Sequence, residues 1–210
     1  MTTNTPREQR HQRTRDAILD AARRILHEEG VEGLSMRAIA QRIEYSPAGL
    51  YEYFDSKEAI IGAVCQQGFV RLDRQLGTVD PALPALEMLA ASCRNYLRFA
   101  ADNPDFYMLM FTNAPLTGIT AVSKTRSLED ILLTNPSFLA LHRAVERCVQ
   151  EGIFHVPQDS RLFLMSMTFW EILHGGAMLA IANHMERDLA QRGETAVSVL
   201  ARGYQCKAGV

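Results

Sequence analysis

Side chains that can hydrogen-bond to nucleic acid are concentrated between residues 35 and 57. They are hydroxyl, guanidinium and ammonium groups: Ser35, Arg37, Ser46, Tyr51, Tyr53 and Lys57. Groups of this kind bind phosphate oxygens, and an arginine can also reach two acceptors on one guanine. Helices hold side chains more precisely than loops do, so recognition of a base sequence by this set requires helices beneath it.

Helix caps within the same segment predict those helices. Ser35 and Ser46 each precede an apolar pattern and can accept hydrogen bonds from the first N–H groups of a helix. Pro47 suits the first helical position, because its missing N–H needs no partner there. Asp55 or Ser56 can cap a third helix directly afterwards. Two short helices joined by a tight turn and followed by a third are the outline of a helix-turn-helix that reads DNA.

A sequence string at the end of this segment carries a resemblance to a known family. Its residues are Leu50, Tyr51, Phe54, Lys57 and Glu58, in the pattern Leu-Tyr-x-x-Phe-x-x-Lys-Glu. With the caps before it, the string resembles the TetR/AcrR family of bacterial transcriptional regulators over roughly residues 10 to 65. The chain departs from the family at the turn, where Glu44 replaces the usual glycine. If the backbone there needs a positive φ, Glu44 must adopt it at a cost in free energy.

The resemblance implies a role for each polar residue. The helix from Ser46 to Phe54 is expected to enter the major groove, led by the small residues Ser46, Pro47, Ala48 and Gly49. Arg37 is the best candidate for a bidentate contact with guanine. Phosphate contacts, which fix register and encode no sequence, are expected from Ser35, Tyr51, Tyr53 and Lys57. Alternatively, the two tyrosines only pack the small domain and the lysine is a solvated charge.

The start of the chain is basic. Residues 1–15 carry four arginines and one acidic residue, Glu8. We predict that residues 1–13 form a flexible basic arm that attracts phosphates or reaches a minor groove; a disordered terminus that only aids solubility fits equally well. An apolar pattern then predicts a helix from Thr14 to Gly30. We therefore expect a helix-turn-helix domain at residues 14–60 and a larger helical domain at 61–210.

Composition limits the kinds of protein that are possible. The formal net charge of −2 over 210 residues argues against indiscriminate coating of nucleic acid. Binding must then come from a local field made by the arm, Arg37, Arg42 and Lys57. The four cysteines are widely spaced, so we expect reduced thiols rather than a zinc site or disulfides, and no cofactor. The start has no signal-peptide pattern, and a cytoplasmic protein is expected.

The remainder shows helical periodicity and no alternating strand pattern, which predicts an all-α fold. Helices are expected at about residues 56–76, 84–102, 104–111, 121–133, 136–152, 162–182 and 194–206. A mobile loop is expected at residues 113–120.

Residues 162–182 are apolar on nearly all sides. Their length alone would admit a membrane span, but Glu171 and His174 lie at mid-span and no basic cluster flanks the segment, so we expect no membrane insertion. A helix of this kind is otherwise buried, with one face in its own domain and one in a partner. The resemblance implies a homodimer formed through this helix and the last one. Trp170, His174 and Gly175 also resemble the signature of a C-terminal domain type of that family, named for its Trp, His and Gly.

Glu171 and His174 have the Glu-x-x-His spacing of di-iron bundles, but no second such motif appears, so we predict no metal site. A hydrogen bond between Glu171 and His174 is expected instead. Adaptable methionines and aromatic rings nearby can line a pocket for a small apolar or aromatic effector. The candidates are Phe106, Tyr107, Met110, Phe111, Met165, Phe169, Trp170 and His174, although the same residues would suit a plain core.

Together these patterns predict a TetR-like regulator of transcription and not an enzyme. It would be a repressor that binds a palindromic double-stranded DNA operator as a homodimer and is released by the effector. The alternative is a helical ligand-sequestering protein or enzyme that uses the C-terminal cavity, with the first domain only structural.

Overall fold

The computed structural model describes residues 5–112, 127–156, 161–184 and 186–205. Within these ranges the chain contains helices and no β-strand, which confirms the all-α prediction. The α-helices are α1 (Pro6–Gly33), α2 (Met36–Arg42), α3 (Pro47–Leu50), α4 (Lys57–Leu76), α5 (Ala85–Asp102), α6 (Pro104–Thr112), α7 (Leu128–Leu132), α8 (Pro136–Gln150), α9 (Leu162–Ala182) and α10 (Leu189–Gln205). A 3₁₀-helix, Glu186–Asp188, precedes α10.

The chain divides into an N-terminal unit, Met1–Gly68, and a C-terminal unit, Phe69–Val210. The division falls within α4 and not at residue 60. The helix continues without a break, and its later apolar residues Phe69, Leu72 and Leu76 belong to the core of the C-terminal unit.

The first turns of α1 contradict the prediction of a flexible arm. Residues 6–13 are helical, and the arm prediction is wrong for them. The Thr5 side chain accepts from the Glu8 N–H at 3.3 Å, and the Glu8 carboxylate accepts from the Thr5 N–H at 2.6 Å, while Pro6 occupies the first position. This capping box stabilises a helix start without an apolar face, which is why the hydrophobic pattern missed it. The prediction for residues 1–4 lies outside the described residues.

Glu44 adopts the left-handed conformation, with a φ of 54°. The Tyr45 N–H donates to the Ala40 carbonyl at 2.9 Å, and the Glu44 N–H donates to the Gln41 carbonyl at 3.4 Å. These two bonds form the Schellman motif, in which glycine is the usual residue at the left-handed position. The turn is therefore a strained variant of a standard helix end, as the sequence suggested.

The core of the C-terminal unit lies among α5, α8, α9 and α10. Helix α9 is long and apolar enough to cross a membrane by length and composition. Its inner side packs in the protein core through Met165, Phe169, Leu173 and Ala177. The predicted bounds of α9 are correct, whereas α10 begins before the predicted residue 194. Gly193 therefore lies inside α10 and does not end it. The residue has no side chain, which lets α10 approach Leu97 of α5 at a point where a Cβ would clash.

None of the described cysteines Cys65, Cys93 and Cys148 forms a disulfide bond, and all three are buried. Burial raises the pKa of their thiols to about 11, 12 and 11 respectively. Such thiols stay protonated and unreactive at neutral pH. Cys206, the predicted loop at 113–120 and the start of the predicted helix at 121–133 lie outside the described residues.

The strained conformation of Glu44 leads us to expect that a substitution there changes the free energy of unfolding. Glu44→Gly should stabilise the N-terminal unit by roughly 0.5–1 kcal/mol, because glycine avoids the cost of a Cβ at positive φ and this exceeds its own entropy loss. Hydrogen exchange at the Ile39 and Leu50 amides would measure the change. Glu44→Ala keeps the Cβ and serves as the control. Equal stabilisation by alanine would show that the effect comes from charge and not from the backbone.

Candidate nucleic-acid interface

Three serine caps hold the helix-turn-helix. Ser35 Oγ accepts from the Ala38 N–H at 3.1 Å, Ser46 Oγ from the Gly49 N–H at 3.0 Å, and Ser56 Oγ from the Ala59 N–H at 3.2 Å. Each bond satisfies an N–H that the first turn of a helix leaves without a partner. Ser35 and Ser46 use only the hydroxyl oxygen for the cap, so each can also donate its hydroxyl proton to a phosphate.

Helix α3 is shorter than predicted. Its α-helical part ends at Leu50, and the chain continues through Tyr53 in tighter turns, with the Tyr51, Glu52 and Tyr53 N–H groups bonded to carbonyls three residues earlier. This 3₁₀-type tightening is common at helix ends. Phe54 is thereby placed in the core of the unit.

The predicted base-contact residues are accessible. The Arg37, Ser46, Pro47 and Ala48 side chains are exposed, and Gly49 is half-buried. Tyr45 covers Gly49, where a Cβ would lie 2.6 Å from Tyr45 Cε1. The packing of Tyr45 therefore requires glycine at position 49, whether or not the backbone there also approaches DNA.

The two tyrosines predicted at phosphates differ in their surroundings. Tyr51 is 55% exposed and free to reach a phosphate. Tyr53 is half-buried: its ring stacks on His11 at 4.6 Å and meets Tyr45 edge-on at 6.3 Å. Tyr53 therefore has a packing role between α1 and the turn, whether or not it also contacts DNA.

Lys57 is bonded within the N-terminal unit. Its Nζ donates to the Val31 carbonyl at 2.8 Å, at the end of α1. An ammonium group has three donors, so two remain for a phosphate. Lys57 is thus not a free surface charge, since it also binds the last turn of α1, whether or not it contacts DNA.

The expectation that Arg42 contributes to a positive field is wrong. Arg42 lies 2.7 Å from a Glu28 carboxylate oxygen and 3.4 Å from one of Glu29. These partners neutralise it locally. The expected positive field then rests on Arg37, Lys57 and the arginines in the first turns of α1.

The predicted effector residues fall mostly in the core of the C-terminal unit. Tyr107, Met110, Met165 and Phe169 are buried, whereas Phe106, Phe111 and Trp170 pack against that core with partial exposure. His174 stacks on Trp170 at 4.8 Å and meets Phe111 edge-on at 4.5 Å. The structure therefore brings Tyr107, Phe111 and Trp170 together around His174. Met110, Met165 and Phe169 are left as core, and Phe106 lies under the guanidinium of Arg71 instead.

The predicted bond between Glu171 and His174 is wrong. Glu171 is exposed. His174 Nδ1 lies 2.6 Å from the Tyr107 hydroxyl and 3.1 Å from the Tyr96 hydroxyl, and the two hydroxyls are 2.8 Å apart. Burial lowers the pKa of His174 to about 4. Sequence reasoning missed Tyr96, because it lies on a different helix from every other candidate.

One cavity beside Tyr96 and Trp170, among the described residues, is small. A cavity of about 10 Å³ is bordered by Tyr96, Trp170, Cys93 and Leu173, among others. A cavity of that size holds one water molecule at most. A larger groove of about 360 Å³ lies between α5 and α10, lined in part by Arg94, Glu194 and Arg202, none of which was predicted. In the described part of the chain, no three potential metal ligands lie close together.

Two family models match the chain. Residues 18–64 match the model described as "Bacterial regulatory proteins, tetR family", and residues 89–202 match "Tetracyclin repressor-like, C-terminal domain". The second match alone covers more than half of the chain.

Curated relatives are similar over part of their length. An HTH-type transcriptional regulator of Mycobacterium tuberculosis (strain CDC 1551 / Oshkosh) is 35% identical over 108 residues, covering 49% of this chain and 52% of that protein. The HTH-type transcriptional regulator UidR of Escherichia coli (strain K12) is 48% identical over 56 residues, covering 27% of this chain and 29% of UidR. The chain thus spans about half the length of the first relative and less of the second.

Solved structures share the fold. The TetR family transcriptional regulator PfmR from Thermus thermophilus has a TM-score of 0.62 at 21% identity, covering 88% of this chain and 97% of PfmR. A TetR transcription regulator from Haloarcula marismortui has a TM-score of 0.69 at 18% identity, covering 92% of this chain and 98% of that one. At these identities the likeness shows the fold alone.

The buried histidine predicts a pH dependence of stability. With a folded pKa of about 4 against about 6.5 in the unfolded chain, the unfolded state alone takes up the proton between these values. Stability should therefore fall as the pH falls from about 6.5 to 4, by no more than about 1.4 kcal/mol per pH unit. Urea denaturation at several pH values across this range would give the free energy of unfolding at each pH. That free energy should change less steeply with pH for His174→Phe than for the native chain. Equal slopes would contradict the prediction.

Proposed function

This chain belongs to the tetR family of bacterial regulatory proteins, and on that premise we propose that it is a DNA-binding transcriptional repressor. It binds a palindromic operator as a homodimer and leaves the operator when a small molecule binds its C-terminal unit. The observation that carries the proposal is the exposed, rigidly capped surface of α2 and α3. Its helices are fixed by serine caps. The exposed side chains of Arg37 and Tyr51 make no hydrogen bond to any described residue, so they are available for DNA.

The surface fits the major groove. The exposed start of α3 is made of Ser46, Pro47 and Ala48, so the backbone can approach base edges closely. Such small side chains favour contact with thymine methyl groups over hydrogen bonds to bases. Arg37 on α2 supplies the guanidinium that can read a guanine, and Tyr51 supplies a hydroxyl for a phosphate.

The charge distribution supports selective binding. With a formal net charge of −2, the whole molecule does not attract DNA, and Arg42 is already paired. Contacts with phosphates release counterions, so affinity for the operator falls as salt rises. Two recognition surfaces held one helical turn apart by a dimer give each protomer one half-site.

The outer face of α9 supports the homodimer. Leu164, Ile172 and Leu179 on that face are 46%, 41% and 67% exposed, at helical spacing. Gly175 and Gly176 lie among them with no atom near the position of a Cβ, so another helix can approach there. Val199 on α10 is 57% exposed as well. An apolar face of this kind fits a second copy of the same two helices.

Release by a ligand requires a difference in affinity between two states of the dimer. Helix α4 contains residues of both units and is the covalent route by which a change in the C-terminal unit reaches the DNA-binding unit. A regulator of this kind acts where the DNA is, in the cytoplasm, and needs no catalytic group. An enzyme or a ligand-sequestering protein would have no use for the capped and exposed DNA-reading surface.

Arg37→Ala should relax discrimination at one base pair of each half-site, at a cost of about 1–3 kcal/mol on the preferred base. Competition binding with base-substituted versions of the bound sequence would measure it. Arg24→Ala removes the same charge from an exposed position of α1 outside the predicted contact set. If both variants lose affinity equally on every sequence, Arg37 contributes charge and not base recognition.

Leu179→Glu should convert the dimer to monomer and reduce operator affinity, because two carboxylates would have to be buried in the proposed interface. Sedimentation would give the mass and gel-shift titration the affinity. Leu128→Glu is the matched control, since Leu128 is 47% exposed on α7, outside this interface. A Leu179→Glu dimer with native affinity would place the dimer contact elsewhere.

A further inference from the structure

The groove of about 360 Å³ between α5 and α10 exists because the two helices diverge. At one end they touch, since Gly193 brings α10 against Leu97 and a Cβ there would clash. From that contact the groove follows α5 back toward Leu86 and α10 forward toward Gln205, so the helices run in opposite directions. Its volume lies in the range of roughly 300–1,000 Å³ that small-molecule sites occupy.

The floor of this groove is apolar. It is formed by the side chains of Leu86, Ala90, Cys93, Val197 and Ala201. Three of them, Cys93, Val197 and Ala201, are buried in the core of the C-terminal unit, which fixes the floor in place. Small and medium apolar side chains of this kind provide a strip on which a short alkyl chain or a single ring can lie out of water.

The rim of the groove is polar and carries more positive than negative charge. It consists of Arg94, Glu194, Ser198, Arg202 and Gln205. Arg94 and Glu194 form an ion pair at 3.7 Å, next to the point where the helices touch, so their charges offset each other. The charge of Arg202 then remains as the net charge of the rim.

Arg202 is oriented by the fold but not neutralised by it. Its Nε donates to the Ser198 carbonyl at 3.3 Å, one turn earlier on α10, and no described carboxylate pairs with it. A guanidinium has five N–H donors, so both terminal nitrogens remain for a carboxylate, which can accept from two donors at once. The Ser198 hydroxyl and the Gln205 amide lie within one turn on the same side of α10 and add further donors.

We propose that this groove binds the effector and that the effector is an amphipathic carboxylate. Its carboxylate binds Arg202, and its apolar body lies on the floor beside Ala90 and Val197. The proposal rests on the proposed ligand-responsive function, and it places the ligand away from the predicted effector residues, none of which lines this groove. The positive rim disfavours amines, because an ammonium group would meet a like charge.

A ligand in the groove leaves the proposed dimer contact free. Val199 projects from the other side of α10, about 160° around the helix axis from Val197 and from Ala201 at 3.6 residues per turn. The groove and the dimer contact can therefore be occupied at the same time.

One wall of the groove is bonded to α4. The Asn95 side chain, next to Arg94 on α5, donates to the Gln75 carbonyl at 2.9 Å, and the Gln75 side chain donates to the Asn95 carbonyl at 2.9 Å. A ligand that changes the spacing of α5 and α10 therefore acts on a helix that is hydrogen-bonded to α4. Because α4 continues into the N-terminal unit, this gives the ligand a route to the DNA-binding helices.

Binding can be tested without DNA, with octanoate and octanamide as probes. The two have the same chain length, but only octanoate is charged. In the ¹⁵N-labelled full chain, octanoate should shift the amide signals of Ala90, Val197 and Ala201. Its Kd should be at least about tenfold lower than that of octanamide, because a hydrogen bond to a charged group is stronger. Equal affinity, shifts confined to other residues, or binding of neither probe would overturn the proposal.

Variants locate the carboxylate. In Arg202→Gln the ratio of the two Kd values should fall below about threefold, because the charge is lost while octanamide binds as before. Arg98→Gln, at an exposed arginine of α5 that does not line the groove, is the matched control and should keep the native ratio. Ala90→Phe should weaken both probes, because its ring fills the groove, and native dispersion of its amide signals would show that it folds. A native ratio in Arg202→Gln would overturn the proposal.

Release from DNA separates this proposal from the proposed function. Saturating octanoate should lower the affinity of the native chain for its selected operator at least about fivefold, and should have less effect on Arg202→Gln. A chain that selects no operator would refute the proposed function and leave the binding result standing. A chain that binds both operator and octanoate, and keeps its operator affinity at saturating octanoate, would refute only the effector role of the groove.

Discussion

Glu44 has a φ of 54°, in the left-handed region, and this conformation reverses the chain between α2 and α3. The reversal places Tyr45 over Gly49 at the start of α3 and in edge contact with Tyr53, which stacks in turn on His11 of α1. The strained residue therefore helps to set the geometry of the proposed DNA-facing surface. Glycine would relieve the strain, but the surrounding hydrogen bonds hold the conformation with glutamate as well.

Helix α9 meets a different constraint, since it is apolar on nearly every side. Its inner side supplies the core, and within that core His174 is satisfied by two tyrosine hydroxyls. Its outer side leaves Leu179 and its neighbours exposed, and apolar exposure of this kind is costly in water unless a second copy covers them. One helix thus supplies both the core of the C-terminal unit and the proposed dimer contact.

Local patterns in the sequence were enough to place the serine caps, the strained turn and the bounds of α9, because each depends on residues within one or two turns. Long-range partners were not predictable in this way. Arg42 meets glutamates of α1, Lys57 bonds to Val31, and Tyr96 reaches a histidine 78 residues away. The first turns of α1 were missed for another reason: the capping box at Thr5 needs no apolar periodicity. The predicted DNA contacts at the exposed residues stay predictions, since the fold alone does not test them.

The most direct test of operator recognition is selection of bound sequences from a random DNA library, with the purified chain at near-physiological salt and no added ligand. We expect a palindromic consensus with two half-sites about one helical turn apart, because one symmetric dimer would present two copies of α3. Recovery of no consensus, or of a single asymmetric site, would contradict the claim that the capped surface of α2 and α3 reads an operator as a homodimer.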